Sequence, residues 1–233
     1  MFVFLKERTL DLLHLFFPHL CAGCNSDLLS PKDPICPLCL ASLPATRFEQ
    51  LPGNPVEKIF YGRLPVLAAT STYYFTKGSR LQTLIHALKY DRNPAVGQAL
   101  GRQMGKKLKA SPRFFNTQCI VPLPLHKKKQ QQRGYNQSAE IARGIAETTG
   151  WYLCEDALIK LQMTDTQTRK GRSERWINVR DGFAVQDTAQ IAQKHLLLVD
   201  DVLTTGATLE ACGNVLMQAN PASMSIATLG WAG

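Results

Sequence analysis

The sequence predicts an α/β fold, a parallel sheet flanked by helices, with a small cysteine-held module in front of it. Three observations predict it. Strand-like and helix-like runs alternate from Val66 onward, the pattern of parallel strands joined by helical crossovers. The apolar run Leu196–Val199 leads into Asp200 and Asp201 and then into a Thr/Gly turn that opens a helix. That is the layout of a ligand site at the carboxyl end of a parallel strand. Two CxxC pairs lie near the N-terminus, and close pairs of thiols at this spacing hold small modules together.

Composition bounds the function. Over 233 residues, 45% are hydrophobic and 19% charged, which fits a globular protein and excludes an extensively disordered one. The net charge of +9 favours an anionic partner such as a phosphorylated metabolite or a nucleic acid. The first twenty residues are apolar, but Lys6, Glu7, Arg8, Asp11 and His14 interrupt them. No run reaches the roughly 20 apolar residues of a membrane span, and the charge order of a signal peptide is missing. Leu5, Leu12, Leu13, Phe16 and Leu20 fit one face of a short packed helix. A cytoplasmic protein with no membrane insertion is expected.

Cys21, Cys24, Cys36 and Cys39 form "CAGC" and "CPLC", eleven residues apart. The spacing reads as a closed tetrahedral zinc site of structural type; disulfides are the competing reading, disfavoured in a reducing compartment. His14 and His19 lie nearby but are read as surface or packing residues. Cys119, Cys154 and Cys212 are isolated and read as buried small hydrophobes. Residues 1–45 are expected to form the N-terminal helix and zinc module, and 46–65 a linker with little regular structure because of its prolines and glycines. Residues 66–233 are expected to form the main domain.

Within it, Val66–Phe75 has strand composition and Gly78–Arg92 has helical spacing through Leu81, Leu84, Ile85 and Leu88. Asn93-Pro94 interrupts, and a second helix covers Ala95–Lys109. A short buried strand, "CIV", precedes the basic loop "PLPLHKKKQQQRGYNQ" and the helix "QSAEIARGIAET", which Gly150 stops. Strand "DALIKL", a second basic loop "TDTQTRKGRSERWINVRD" and strand "GFAV" follow. The last units are strand Leu196–Val199, helix Ala207–Gln218 and strand "SMSIATL".

The turn after the acids, Thr204 to Thr208, offers hydroxyls, a bendable Gly206 and the free N–H groups of a helix start, a phosphate cradle. It matches neither GxxxxGK[ST] nor GxGxxG. A carboxylate pair beside a phosphate cradle repels the phosphate itself, so the acids hold another part of the ligand. Sugar hydroxyls fit, giving a ribose 5-phosphate; magnesium coordination is the alternative.

This run resembles the phosphoribosyl-pyrophosphate (PRPP) motif of the type I phosphoribosyltransferases, over roughly Val66 to Gly233. With the four cysteines, "VPLPLHKKKQQQRGYNQS" and "RKGRSERWINVRDGF", the chain resembles the ComF family, the competence protein F and GntX-like proteins. The resemblance implies a type I phosphoribosyltransferase-like fold behind a zinc-ribbon-like module. It implies that Thr204, Thr205, Gly206, Ala207 and Thr208 hold the 5-phosphate and Asp200 and Asp201 the ribose hydroxyls, with Val202 and Leu203 between them in the motif. Pro122 and Leu123 then lie where the family binds pyrophosphate, and magnesium accompanies PRPP.

Two basic clusters remain: Lys127, Lys128, Lys129 and Arg133 beside Tyr135, and Arg169, Lys170, Arg172 and Arg175 beside Trp176. They read as cations closing over pyrophosphate, where electrostatics stabilises the leaving group. They read equally as a single-stranded nucleic acid surface, with phosphates on the cations and bases on the aromatics. The plain reading is two solvated loops. His86 and His126 are isolated, so no acid–base pair for a nucleobase emerges. The resemblance implies a competence factor that binds PRPP and handles single-stranded DNA on the cytoplasmic side during natural transformation, with a helicase-like or recombination partner. The alternative is a phosphoribosyltransferase acting on a nucleobase or related acceptor, and catalysis is left open.

Overall fold

A computed structural model describes residues 19–30, 33–161, 177–180 and 182–233, the 177–180 segment by its backbone. The expected N-terminal helix and Arg169, Lys170, Arg172, Arg175 and Trp176 of the second basic cluster lie outside the described residues. Five parallel strands form the central sheet: β1 (Ala68–Tyr74), β2 (Cys119–Pro122), β3 (Tyr152–Leu153), β7 (His195–Leu203) and β8 (Ser223–Trp231), in the order β1-β8-β7-β2-β3. A small antiparallel sheet, β4 (Leu158–Lys160), β6 (Phe183–Val185) and β5 (Ile177–Arg180), stands apart from it. The parallel sheet with flanking helices is the predicted fold class.

The sheet separates two cores because alternate residues of a strand face opposite sides. Leu197 and Val199 of β7 meet α3 (Arg80–Tyr90), α4 (Pro94–Lys109) and α6 (Gln137–Thr149). Leu196 and Leu198 meet α2 (Pro55–Phe60) and α7 (Ala207–Met217) on the other side. α4 and α6 cross at Gly101 and Gly144. A Cβ on Gly101 would run into the Ile141 carbonyl, and one on Gly144 into the Gln98 carbonyl. The close approach seats the first turn of α6 beside β7. α6 ends where Gly150 takes a left-handed φ of 79°, as its sequence implied.

Four expectations are corrected. Residues 46–65 carry regular structure: a 3-10 turn at Phe48–Gln50 and α2, which Asn54 caps through Val56 N–H and Glu57 N–H. Phe48, Val56, Phe60 and Leu64 enter the core, and the buried Glu57 pairs with Arg113. Pro55 starts this helix instead of breaking it, because Pro suits the first helical position. The first basic loop contains α5 (Lys127–Arg133), capped by His126 and stopped by Gly134 at φ 88°. α5 buries no residue; it forms from good helix formers and has no apolar stripe to reveal it. β7 does not end at Val199 but continues through both acids to Leu203. Finally, Cys119 and Cys154 are buried as expected but not isolated: they face each other across β2 and β3, with Cα atoms 6.3 Å apart. The parallel pairing of β2 with β3 brings them together.

α1 (Pro37–Ala41) completes the cysteine module. The module's Cys21, Ile35, Cys36, Cys39 and Leu43 share one core with α3 and α4. No helix among the described residues is long and apolar enough to cross a membrane.

Candidate functional site

β2 and β7 are neighbours, with Pro122 level with Val199. The chain leaves β2 through α5 and α6 to β3 on one side and leaves β7 through α7 to β8 on the other. Connections that part in this way open a crevice at the carboxyl ends of the strands. The crevice is a cleft of about 340 Å³, and Leu123, Lys129, Lys160, Asp200, Asp201 and Thr208 are among the residues that line it.

Of the predicted residues, Asp200 is half-buried and Asp201 buried at the cleft. Val202 and Leu203 continue the strand, paired with Gly230 and Trp231 of β8. Thr204 and Thr205 form the exposed turn, and Ala207 and Thr208 the exposed first turn of α7. Pro122 closes β2, and Leu123 donates its N–H to the Val199 carbonyl at 2.8 Å, which ties the turn after β2 to the acid-bearing strand.

Gly206 is left-handed, with φ 76°. A Cβ there would lie 2.9 Å from Ile59 Cγ2 and against the Phe60 ring. α2 is therefore the floor of the threonine turn. Arg63, just after α2, fastens it from the side: its Nη1 donates to the Thr205 carbonyl at 3.2 Å and its Nε to Glu210 at 3.0 Å. The N-cap residue of α7, Gly206, has no capping side chain. Thr205 Oγ1 accepts the Ala207 N–H at 3.4 Å, and the other N–H groups of the helix start keep their partial positive charge for an anion.

The two acids differ. Asp200 is pushed up to about 7, by burial first and by the Asp201 carboxylate second, while Ser138 and Lys89 act in the opposite sense. Ser138 Oγ donates to Asp200 Oδ1 at 2.8 Å. Asp201 Oδ1 accepts the Val202 N–H at 2.7 Å, and Lys89 Nζ lies 2.6 Å from Oδ2 as an ion pair. Asp201 is thus tied to a lysine, and Asp200 exchanges its proton near neutrality.

Lys127, Lys128 and Lys129 are exposed along α5, and Lys129 borders the cleft. Arg133 donates to Gln137 Oε1 at 2.7 Å and its guanidinium stands 5.4 Å from the Tyr90 ring centre. Tyr135 turns inward: its ring packs on the core and its hydroxyl donates to the Leu88 carbonyl, holding the end of α3. His126 caps α5 and lines the cleft, and His86 stacks on Tyr90 outside it. Sequence reasoning missed Lys89, Ser138 and Lys160. Each sits on another element, and only the fold brings it to the acids.

The four module cysteines have sulfur atoms that all lie within 4.8 Å of one another. The Cys24 and Cys36 sulfurs are 3.7 Å apart, close to the edge of roughly 3.8 Å for a tetrahedron with metal–sulfur bonds of about 2.3 Å. A Cβ on Gly23 would lie 2.9 Å from Cys39 Sγ, so the knuckle needs glycine. Burial opposes ionisation of Cys21, but N–H groups of Cys36, Gly23 and Cys24 outweigh it and bring the thiol down to about 6. Burial and the neighbouring thiols push Cys39 well up. Thiols crowded this way resolve the conflict by releasing their protons to solvent as they bind a shared cation. The cluster is suited to one metal ion with no position left for water.

The phosphoribosyl transferase domain family matches residues 132–230. DNA utilization protein YhgH of Escherichia coli (strain K12) is 27% identical over 214 residues, 89% of this chain and 88% of that protein. Competence protein F of Haemophilus influenzae is 23% identical over 209 residues, 88% of this chain and 86% of that protein. Competence protein ComFC of Bacillus subtilis (strain 168) is 30% identical over 113 residues, 47% of this chain and 43% of that protein. With its parallel sheet and N-terminal four-cysteine cluster, the chain is similar over most of its length to the DNA utilization and competence proteins and matches the phosphoribosyl transferase domain family in its C-terminal part.

Proposed function

We propose that the cleft binds PRPP with magnesium and that the protein serves the handling of single-stranded DNA in competence. One observation carries the ligand: two carboxylates and a helix start whose N-cap is a glycine stand side by side at the crevice between β2 and β7. The threonine turn, Thr204 to Thr208, takes the 5-phosphate. Asp200 and Asp201 accept the ribose hydroxyls. The turn after Pro122, with Leu123, and the cations Lys129 and Lys160 receive the pyrophosphate, which magnesium neutralises in part when bound. The module holds zinc, the ion that four thiolates favour.

The DNA role rests on the names of the relatives and on the exposed cations of α5. The cytoplasm is the compartment this reading expects, with a helicase-like or recombination partner. Phosphoribosyl transfer to a nucleobase is the second reading. Asp200 favours it, because a carboxyl poised near neutral pH can accept a proton beside the ribose.

Calorimetric titration of PRPP with magnesium tests the proposal, with Asp200→Asn/Asp201→Asn as control. Binding that the control loses supports it. Absence of binding by the wild type defeats the ligand assignment. Release of pyrophosphate on addition of a base would establish turnover.

A further inference from the structure

Beside the cleft, and sharing Lys129 with it, lies a second hollow of about 270 Å³ between the end of α3 and α5. Lys89, Tyr90, Arg92, Lys129, Gln132 and Arg133 line it. Four of the six are cations and none is acidic. The nearest acid in sequence, Asp91, is instead 3.8 Å from His86 Nδ1. Tyr90 is 63% exposed, yet its ring is braced by the His86 ring at 4.7 Å and by the Arg133 guanidinium. An exposed but braced aromatic beside a phosphate-sized basic hollow is the recognition unit of one nucleotide of a single strand: phosphate on the cations, base on the ring.

Lys89 belongs to both places. Its ammonium lies 2.6 Å from Asp201 Oδ2, and its side chain also lines the basic hollow. Without a ligand, it neutralises the buried carboxylate. A ribose diol on Asp201 needs the lone pairs that Lys89 occupies. A displaced ammonium is too costly to leave unpaired, and the hollow is the adjoining place where it meets an anion.

We propose that the hollow between α3 and α5 binds a phosphate of single-stranded nucleic acid with the adjoining base on Tyr90, and that Lys89 couples it to the acids of the cleft. The coupling rests on the PRPP reading; the hollow does not. Ligand in the cleft sends Lys89 to the strand phosphate, and a strand phosphate withdraws Lys89 from Asp201. Each ligand then tightens the other by the same factor, as linkage requires.

The test uses the full chain and a labelled oligothymidylate of about 12 nucleotides, followed by fluorescence anisotropy with and without PRPP and magnesium. An abasic oligomer of equal phosphate count and inorganic phosphate serve as competitors. Tyr90→Ala is expected to weaken the oligothymidylate about tenfold while sparing the abasic oligomer. Arg92→Asn, which tolerates the left-handed φ of 51° at that position, is expected to weaken both. Each variant should keep the calorimetric PRPP binding of the wild type. PRPP should tighten the strand several-fold in the wild type and leave Lys89→Met unchanged.

Wild-type strand affinity in both variants, or competition by inorganic phosphate as strong as by the oligomer, overturns the strand site. Loss of PRPP binding in Tyr90→Ala or Arg92→Asn overturns it too, by making the hollow part of the cleft. Strand binding that depends on Tyr90 in a protein that binds no PRPP defeats the PRPP reading and the coupling, while the strand site stands.

Discussion

The Ser138 hydroxyl donates to Asp200 Oδ1 at 2.8 Å, which joins the first turn of α6 to the acid-bearing end of β7. The bond favours the ionised carboxyl, but burial and the Asp201 charge outweigh it and leave Asp200 near 7. An unfolded aspartate titrates near 4. Between these values the folded protein binds the extra proton, so this site's contribution to stability falls as pH rises from about 4 to about 7. Above 7 the loss is complete and constant. Asp200→Asn removes the titration. The variant is expected to melt higher than the wild type at pH 8, with the difference shrinking toward pH 5. Thermal unfolding of both proteins across this range checks it, and parallel profiles would refute the assignment.

Gly206 provides a second prediction. A side chain at φ 76° is strained by about 1–2 kcal/mol in the left-handed region, and a Cβ meets Ile59 and Phe60 as well. Gly206→Ala is expected to lower the melting temperature by several degrees and to weaken PRPP about tenfold or more by tilting the threonine turn. Ile59→Ala on that background removes the nearest contact but neither the Phe60 contact nor the φ strain, so it should restore part of the affinity. Full PRPP affinity in Gly206→Ala would separate the turn from phosphate binding.

These residues divide according to what a linear sequence can reveal. Asp200 to Thr208 was legible because one strand, one turn and one helix start carry the acids and the cradle in unbroken succession. The cysteine spacing was legible for the same reason, since each knuckle is local. Lys89, Ser138 and Lys160 were not, because each stands on a separate element and only the packing of α3, α6 and β4 about β7 unites them with the acids. The closeness of Cys119 and Cys154 needed the β2–β3 adjacency. α2 and α5 were hidden differently: Pro55 reads as a breaker until its place at the helix start is known, and α5 has no apolar face.

Glu57 and Arg113 supply the third prediction. The pair is largely buried, and Glu57 also accepts the N–H groups of Gly53 and Ala69. Removing one partner leaves a buried charge alone, which typically costs about 3–5 kcal/mol. Arg113→Met is expected to destabilise the protein by that order, and Glu57→Gln/Arg113→Met to recover a substantial part. Denaturant unfolding measures both. Because α2 floors the threonine turn, Arg113→Met should also weaken PRPP. A destabilised variant with unchanged PRPP affinity would free the turn from α2.

The cysteine module supplies the last. Its sulfurs share a core with α3, and Arg80 at the start of α3 donates to the Gly23 carbonyl inside the first knuckle. The cysteine cluster and the helix that carries Lys89 are therefore one packed unit. Metal analysis of reduced protein is expected to give about one zinc per chain. Chelation should remove much of the free energy that folds the module, since structural zinc contributes on the order of 10 kcal/mol in small domains. The loss should spread to α3, so the protein should melt lower and Lys89 should lose its hold on Asp201. Cys21→Ser is expected to reproduce the chelated protein, because it deletes the sulfur that accepts N–H groups from both knuckle strands, Gly23 and Cys36. Calorimetric unfolding with and without chelator decides the matter. One shared transition that moves down on chelation supports the coupling, whereas a small separate transition with the main one unmoved makes the module an independent attachment.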